Sequence, residues 1–186
     1  MKLIWFPENI VGAGIFEEKT LPTCRLAVET AIVRHGTPLF LPGWSESWSG
    51  MIGVGVVIDR LGRHIDTRFA HRYYSHIVIA VKACPDNEMY LTPEYADAVF
   101  SHDGSILVSK PIELGEIAII EPALDFGNIE ELTGKLDKAV GAASRAFTLH
   151  TGDVVIAGES GTLPLMPDTR LSFAIGETPI LSHKIK

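Results

Sequence analysis

Two glycine-rich stretches of the chain have residue types that could bind phosphate. They are Gly53-Val54-Gly55 and the stretch Gly158–Thr162, which reads Gly-Glu-Ser-Gly-Thr. A dinucleotide fingerprint needs a Gly-x-Gly-x-x-Gly spacing, and a P-loop ends in Gly-Lys-Ser or Gly-Lys-Thr. Neither stretch has these patterns, and Ser160 lacks the second glycine of a Gly-x-Ser-x-Gly nucleophile turn. Both stretches therefore favour strand or turn glycines.

The histidines and cysteines do not have the spacing of a transition-metal site. There is no His-x-x-x-His, His-Glu-x-x-His or Cys-x-x-Cys pattern, and His71 and His76 are five residues apart. The run from Arg68 to Tyr74 mixes basic and aromatic side chains, as nucleic-acid binders do, but it is short and favours a packed helix. The residues alone therefore indicate no complete catalytic constellation.

Length and charge narrow the possible classes of protein. The chain has 186 residues, of which 46% are hydrophobic, so residues 1–186 can bury a core as a single domain. Lys and Arg total 16 against 23 Asp and Glu, which gives a net charge of −7. A net-acidic chain lacks the general attraction to phosphates, so nucleic acid and anionic membrane are not expected as partners.

The two cysteines and the amino-terminal residues indicate the cellular compartment in which we expect the protein. Cys24 and Cys84 could form at most one disulfide, and a domain of this size needs none, which favours a reducing compartment. The apolar stretch before Pro7 and Glu8 is too short for a signal-peptide core, and the run 51–58 is far shorter than the roughly 20 residues of a membrane helix. We therefore expect a soluble, cytoplasmic protein.

Short apolar and β-branched runs dominate the chain and predict strands. They lie at 31–33, 39–41, 51–58, 77–81, 106–108, 117–120, 154–156 and 171–175. The first two flank His35-Gly36-Thr37-Pro38, whose glycine and proline are typical of a turn, so we predict a hairpin there.

Helices are fewer than strands. Apolar residues recur at three- and four-residue steps from Ile129 to Phe147, which predicts an amphipathic helix with Asn128 as its N-cap. A shorter helix is predicted over 66–74, with Asp66 as its cap. Many strands, few helices and irregular spacing favour an α+β, mainly β fold over alternating βαβ units.

Five stretches, taken in order, carry a resemblance to one family. They are 29–42, with its Gly-x-Pro turn; 56–63, a strand and turn; 68–74, a helix; Asp103-Gly104-Ser105; and 148–158, a Leu-x-x-Gly-Asp-type segment. Together they resemble the fumarylacetoacetate hydrolase family, which includes acylpyruvate hydrolases and 2-hydroxyhepta-2,4-diene-1,7-dioate isomerases. The resemblance covers most of the chain and implies a mixed β-roll with flanking helices, commonly a homodimer.

The resemblance implies a metal site that this sequence does not preserve. Family members hold Mg²⁺ or Mn²⁺ with two glutamates and an aspartate, and the ion polarises a 2-oxo acid. Where the family has Glu-x-Glu, this chain has Met51, Gly53 and Gly55 in a stretch without carboxylates, and Lys82 stands at the aspartate position. We therefore expect no metal cofactor.

Other functional positions of the family also differ. The Asn-Tyr-x-x-His that supplies a catalytic histidine has no counterpart in 9–14, the lysine expected before Asp103 is missing from 98–102, and the last Thr-Gly-Thr becomes Ala157-Gly158-Glu159. No catalytic residue can be assigned. The positions matched to the family pocket are Met51, Gly53, Gly55, Lys82, Asp103 and Glu159.

Charge distinguishes this pocket from that of the family. Three carboxylates and a divalent cation sum to −1, whereas two uncharged positions and Lys82 sum to +1. Lys82 could reach solvent, pair with an acid such as Glu159, or act as a tethered cation for a small 2-oxo or dicarboxylic acid. With a lowered pKa it could also form a Schiff base with a 2-oxo acid.

Three hypotheses for function follow. The first is a degenerate family member, a pseudoenzyme with a binding or assembly role. The second is an active hydrolase or isomerase of 2-oxo or β-diketo acids, with either a Lys82-based site or a rearranged metal site. Its candidate ligands are Glu46, Asp59, Asp86, Asp103 and Glu159. The third is the silent half of a heterodimer with an active paralogue.

Overall fold

The computed structural model describes residues 1–7, 24–33 and 36–186, and strands make up most of this part of the chain. The strands are β1 (Leu3–Trp5), β2 (Arg25–Ala27), β3 (Ile32–Val33), β4 (Trp48–Ile58), β5 (Tyr74–Pro85), β6 (Ile106–Val108), β7 (Ile120–Glu121), β8 (Val154–Leu165), β9 (Arg170–Ile175) and β10 (Thr178–Lys184). The α-helices are α1 (Ala96–Ser101) and α2 (Ile129–Ala146). Short 3-10 helices cover Glu29–Ala31, Thr67–Arg72, Glu88–Leu91 and Leu114–Ile119.

The strands form one large mixed sheet and one small sheet. The large sheet has seven strands in the order β2-β1-β8-β4-β5-β6-β3, and the small sheet has the order β10-β9-β7. Within the large sheet β1 runs parallel to β8 and β3 parallel to β6, while the other neighbouring pairs are antiparallel. This architecture confirms the predicted α+β, mainly β class.

The three long strands β4, β5 and β8 are covered on both faces. One face, with Val54, Val56 and Ile79, belongs to the main hydrophobic core, to which α2 contributes Leu132 and Leu136. Alternate side chains, including those of Val78, Ala80 and Ile156, belong to a smaller cluster on the opposite face. Burial on both faces explains the apolar runs 51–58, 77–81 and 154–156 within these strands, whereas the second half of β8, with Gly161 and Thr162, is partly exposed.

The long helix confirms the prediction from periodicity. Its observed bounds, Ile129–Ala146, agree with the predicted start, and the Asn128 side chain accepts a hydrogen bond of 2.8 Å from the backbone N–H of Glu131. That bond satisfies one of the free N–H groups of the first turn. The apolar stripe along this helix packs on the main core.

Several local predictions are wrong. The predicted hairpin does not form, because Ile32–Val33 pairs with β6 and Leu39 forms a bridge with Ile185; residues 34–35 of its turn lie outside the described residues, as do residues 9–14. The predicted helix over 66–74 is a 3-10 helix, Thr67–Arg72, although Asp66 does cap it by accepting from Arg68 N–H.

The carboxyl-terminal half also departs from the predictions. Most of the predicted strand over 117–120 belongs to the 3-10 helix Leu114–Ile119, and β10 was not predicted. Within the described part of the chain, no helix is long and apolar enough to cross a membrane.

Candidate functional site

One face of the large sheet brings together most of the positions matched to the family pocket. Met51 lies directly opposite Lys82 on the neighbouring strand, and Gly53 lies between Ala80 and Glu159. Because side chains alternate along a strand, Met51, Gly53, Gly55 and Lys82 share a face. We call the face formed by these four residues the Lys82 face.

The indole of Trp5 covers this face at Gly53. A Cβ atom added at Gly53 would lie 2.6 Å from Cζ2 of Trp5 and 2.7 Å from Cγ2 of Ile156, so a side chain at this position would collide with both. The Trp5 Nε1–H donates a 3.1 Å hydrogen bond to Oε1 of Glu159. Phe100 of α1 packs edge-to-face on Trp5, with ring centroids 6.2 Å apart. Aromatic side chains thus fill the space above the glycine.

Lys82 is buried under the same cover. Its side chain is 1% exposed, and its ammonium donates a hydrogen bond to the carbonyl of Ala83. The Nζ atom also lies 5.9 Å from the centroid of the Phe100 ring, within the range of a cation–π contact. Burial lowers the pKa of Lys82 to about 8, with the nearby Cys84 thiol opposing this shift.

The charge of Lys82 shifts the pKa values of two further ionisable groups, Cys84 and His102. Burial raises the pKa of the Cys84 thiol, and the Lys82 charge partly opposes that increase. Burial lowers the pKa of His102, and the Lys82 charge lowers it further. The Nδ1 atom of His102 lies 2.9 Å from the carbonyl oxygen of Val99. Near neutral pH the thiol and the imidazole are therefore both uncharged.

Two of the acids considered as alternative metal ligands lie at opposite ends of a strand pair. Asp59 follows the end of β4 and accepts from the Ser75 hydroxyl, whereas Asp86 follows the end of β5 and accepts from the Ser49 hydroxyl. Because β4 and β5 are antiparallel along their whole length, these two carboxylates lie at opposite ends, roughly 30 Å apart at about 3.3 Å per residue.

The remaining candidate acids do not complete a site either. Glu46 and Asp103 are exposed, the latter in the turn before β6, and Glu159 bonds to Trp5. Across residues 1–7, 24–33 and 36–186 no group of three or more His, Cys, Asp or Glu side chains could hold a metal ion.

The donor set of the Lys82 face does not fit the family metal. Mg²⁺ and Mn²⁺ prefer oxygen ligands from carboxylates, carbonyls and water. Here the matching positions present a thioether at Met51, an indole packed on Gly53, and a cationic ammonium at Lys82. The charge at this position has therefore changed sign relative to a carboxylate cage.

Sequence reasoning missed the two aromatic residues that close the face, Trp5 and Phe100. The available signal was the pair of alternate glycines, Gly53 and Gly55, in a strand interior, where glycine often marks the close approach of another group. The sequence did not show which group approaches, since β1 and β4 are far apart along the chain.

The close contact between Trp5 and Gly53 can be tested by a double-mutant cycle. We expect Gly53→Ala to lower the free energy of unfolding by about 1–3 kcal/mol, because the added methyl group meets the indole and Ile156. In a Trp5→Leu background the added cost should be smaller. Urea denaturation of the four proteins measures the coupling, and equal costs in both backgrounds would contradict the packing.

A matched control uses the same substitution where space is open. Gly134 lies within α2, and a Cβ there meets nothing within 4 Å. Gly134→Ala should therefore stabilise the protein by up to about 1 kcal/mol, because alanine has the higher helix propensity. A loss of stability at this position would contradict the open space around Gly134 and would remove it as a control.

The buried ammonium should make stability depend on pH. The pKa of Lys82 falls from its ordinary 10.5 to about 8 in the folded chain, so the unfolded chain binds the extra proton between these values. Unfolding free energy should therefore rise by at most about 3 kcal/mol between pH 8 and pH 10.5 relative to Lys82→Met. Denaturation of both proteins from pH 7 to pH 10.5 checks this difference. Parallel profiles would mean that Lys82 keeps its ordinary pKa.

Comparison with known proteins identifies the fold. No protein-family model matches the sequence, and no curated protein matches it. A candidate isomerase from Escherichia coli superimposes with a TM-score of 0.74 at 18% identity, covering 100% of this chain and 91% of that chain. A candidate fumarylacetoacetate hydrolase family protein from Yersinia pestis gives a TM-score of 0.74 at 19% identity, covering 100% and 92%.

A third structure contains a metal and an organic acid. The fumarylpyruvate hydrolase from Pseudomonas aeruginosa, solved with Mn²⁺ and pyruvate, superimposes with a TM-score of 0.70 at 16% identity, covering 99% of this chain and 88% of that chain. At such identities the likeness concerns the fold, and it agrees with the resemblance in the sequence. The chain has the fold of the fumarylacetoacetate hydrolase family.

Proposed function

We propose that this chain is a metal-independent member of the fumarylacetoacetate hydrolase family, a pseudoenzyme with a binding or assembly role. The observation that carries the proposal is the buried ammonium of Lys82 opposite Met51, beneath the cover of Trp5 and Phe100. Charge, shape and access each support it.

Charge opposes a divalent ion on the Lys82 face. A unit positive charge and a divalent cation 4 Å apart repel by about 8 kcal/mol at an effective dielectric constant of 20. Deprotonation of Lys82 would relieve the repulsion, but it would leave one amine where the family resemblance implies carboxylate ligands. A hard cation gains little from such a donor.

The packing around Gly53 leaves no space for the glutamate that a metal site would need at this position. A glutamate at position 53 would need the space that the Trp5 indole occupies, since even a Cβ there is too close. The indole is buried and fixed by its bond to Glu159 and its contact with Phe100. The residues that exclude the glutamate thus form part of the small hydrophobic cluster.

Whether Lys82 can act as a catalyst depends on whether a substrate can reach its amine. A pKa of about 8 leaves part of the amine neutral near neutral pH, which favours the second candidate function, Schiff-base formation with a 2-oxo acid. A side chain that is 1% exposed, however, cannot meet a carbonyl carbon unless its cover moves. We therefore rank the amine-based enzyme second. A small 2-oxo or dicarboxylic acid is the ligand we propose for an opened Lys82 face.

We also propose that the chain forms a dimer and that it is cytoplasmic. A chain without catalytic turnover can still act as one half of a homodimer or as the silent partner of an active paralogue, and sedimentation of the purified protein distinguishes a dimer from a monomer. Both cysteines, Cys24 and Cys84, are free thiols. Free thiols support a cytoplasmic location.

Metal titration tests the proposal directly. Calorimetric titration of the purified chain with MgCl₂ and MnCl₂ should give no binding at micromolar concentrations, and EDTA should leave the melting temperature unchanged. A designed variant, Met51→Glu/Gly53→Glu/Lys82→Asp with Trp5→Ala to make room, should gain Mn²⁺ binding if its circular dichroism remains native. Micromolar binding by the unaltered chain would overturn the proposal.

Reductive trapping tests the second candidate. The chain is incubated with pyruvate and sodium borohydride, and Lys82 is examined by peptide mass spectrometry. Since Lys82 is buried, we expect it to remain unmodified while exposed lysines such as Lys138 give the background level. Selective modification of Lys82, absent from the Lys82→Met variant, would favour the amine-based enzyme.

A further inference from the structure

A small apolar slot lies against α1 and the loops that carry Trp44 and Tyr90. Its volume is about 180 Å³, and its walls are mainly aromatic. The lining residues are Trp44, Tyr90, Tyr95, Ala98, Val99 and His102. We call this cavity the aromatic slot.

The aromatic rings that line the slot contact one another edge-to-face. Trp44 and Tyr90 have centroids 4.7 Å apart at an interplanar angle of 69°, and Tyr90 and Tyr95 lie 5.5 Å apart at 79°. On the other side Trp44 meets His102 at 5.6 Å and 83°. Rings that touch at such angles form a concave wall with several faces, whereas parallel stacked rings would present a single flat surface.

The slot is open to solvent and its shape is supported from below. Trp44 is 38% exposed and Tyr95 is also exposed. Beneath them Trp48 is buried, packs on Trp44 at 4.6 Å between centroids, and donates from Nε1 to the carbonyl of Ser45. The exposed indole therefore has a fixed support, and a ligand can enter without unfolding the site.

Two carboxylates lie in a depression next to the slot. Trp44 also lines a second depression, of about 430 Å³, whose other lining residues include Glu46 and Asp86. Both of these carboxylates are exposed, so they can act on a ligand at the mouth of the slot.

Three charged or titratable groups near the slot bear on the binding of a cation. Lys82 is not among the lining residues, but its charge lowers the pKa of His102 and so reaches the slot, where it opposes a cation. Arg25 is paired with Asp97 of α1 at 2.9 Å. His102 lines the slot, but burial and the Lys82 charge hold its pKa below the usual range, so the imidazole is neutral at pH 7. Aromatic faces attract cations through the ring quadrupole. The aromatic faces, together with Glu46 and Asp86 in the adjoining depression, therefore favour a cationic guest over the opposing charge of Lys82.

We propose that the aromatic slot binds a small organic cation, of the methylated-ammonium class, with the cationic head against the rings of Trp44, Tyr90 and Tyr95 and with Glu46 and Asp86 near the mouth. This site is separate from the Lys82 face, so it stands whether or not the chain is metal-independent. It adds a second ligand class, at a second location, to the binding role proposed above.

A neutral isostere of the ligand makes the test specific for charge. Choline and 3,3-dimethyl-1-butanol have nearly the same shape, and only choline is charged. We expect the full chain to bind choline at least about tenfold more tightly than the alcohol, measured by NMR titration of the tryptophan indole signals. Equal affinities would overturn the cation assignment, and binding of neither probe would overturn the site.

Variants locate the binding. Trp44→Leu should weaken choline binding by about tenfold or more, whereas Trp44→Phe, which keeps a ring, should restore most of it. Glu46→Gln/Asp86→Asn should weaken choline binding and leave the alcohol unaffected. Phe40→Leu, at an exposed aromatic residue outside the slot, is the matched control and should change nothing. A similar loss in Phe40→Leu would overturn the assignment to this slot.

Failure of this proposal and failure of the proposed function are distinguishable. If the chain binds both micromolar Mn²⁺ and choline, the cation site is supported and the pseudoenzyme proposal is wrong. If it binds neither, the pseudoenzyme proposal is supported and the cation site is wrong. Each variant is checked by circular dichroism, and since Trp44 is already partly exposed its replacement should keep the native spectrum.

Discussion

The Lys82 ammonium is buried among apolar groups, where an uncompensated charge is costly. Three features lower that cost. The Ala83 carbonyl accepts a hydrogen bond, the Phe100 ring offers its negative face, and the lowered pKa allows the proton to leave above pH 8. The neighbouring groups are consistent with this balance, because burial keeps both Cys84 and His102 uncharged near neutral pH.

The order of the strands explains why glycine occupies the centre of this face. β8 lies between β1 and β4, so an indole on β1 must pass over one strand to reach Gly53. Neighbouring strands are about 4.8 Å apart, so β1 and β4 are about 10 Å apart. The long, flat side chain of tryptophan can cover that distance only if the receiving position has no side chain. The bond to Glu159 on β8 then fixes the far end of the indole. Trp5, Gly53 and Glu159 therefore form one packing unit drawn from three strands.

The sequence could predict features that depend on one segment of the chain, but not those that depend on the order of distant strands. Local patterns predicted α2 with its cap and the apolar central strands, because these depend on periodicity and burial along one segment. The resemblance placed Met51, Gly53 and Lys82 in one pocket, and the strand register brings them to one face. The hairpin around residue 36 was wrong because its first arm pairs with β6 and its second arm forms a bridge with Ile185. The role of Trp5 depends on strand order in the same way, and no local signal contains that order.

The helix α1 connects the buried charge with the proposed cation slot. Phe100 of this helix covers Lys82, while Ala98 and Val99, in the same turn, line the slot. The helix is in turn attached to β2 by the ion pair between Arg25 and Asp97. Protonation of Lys82 below pH 8 places a positive charge behind the slot, which opposes a cation there. Because linkage is reciprocal, a bound cation must lower the proton affinity of Lys82 by the same free energy. The two sites, although separate in their contacts, are therefore coupled through charge across a helix of six residues.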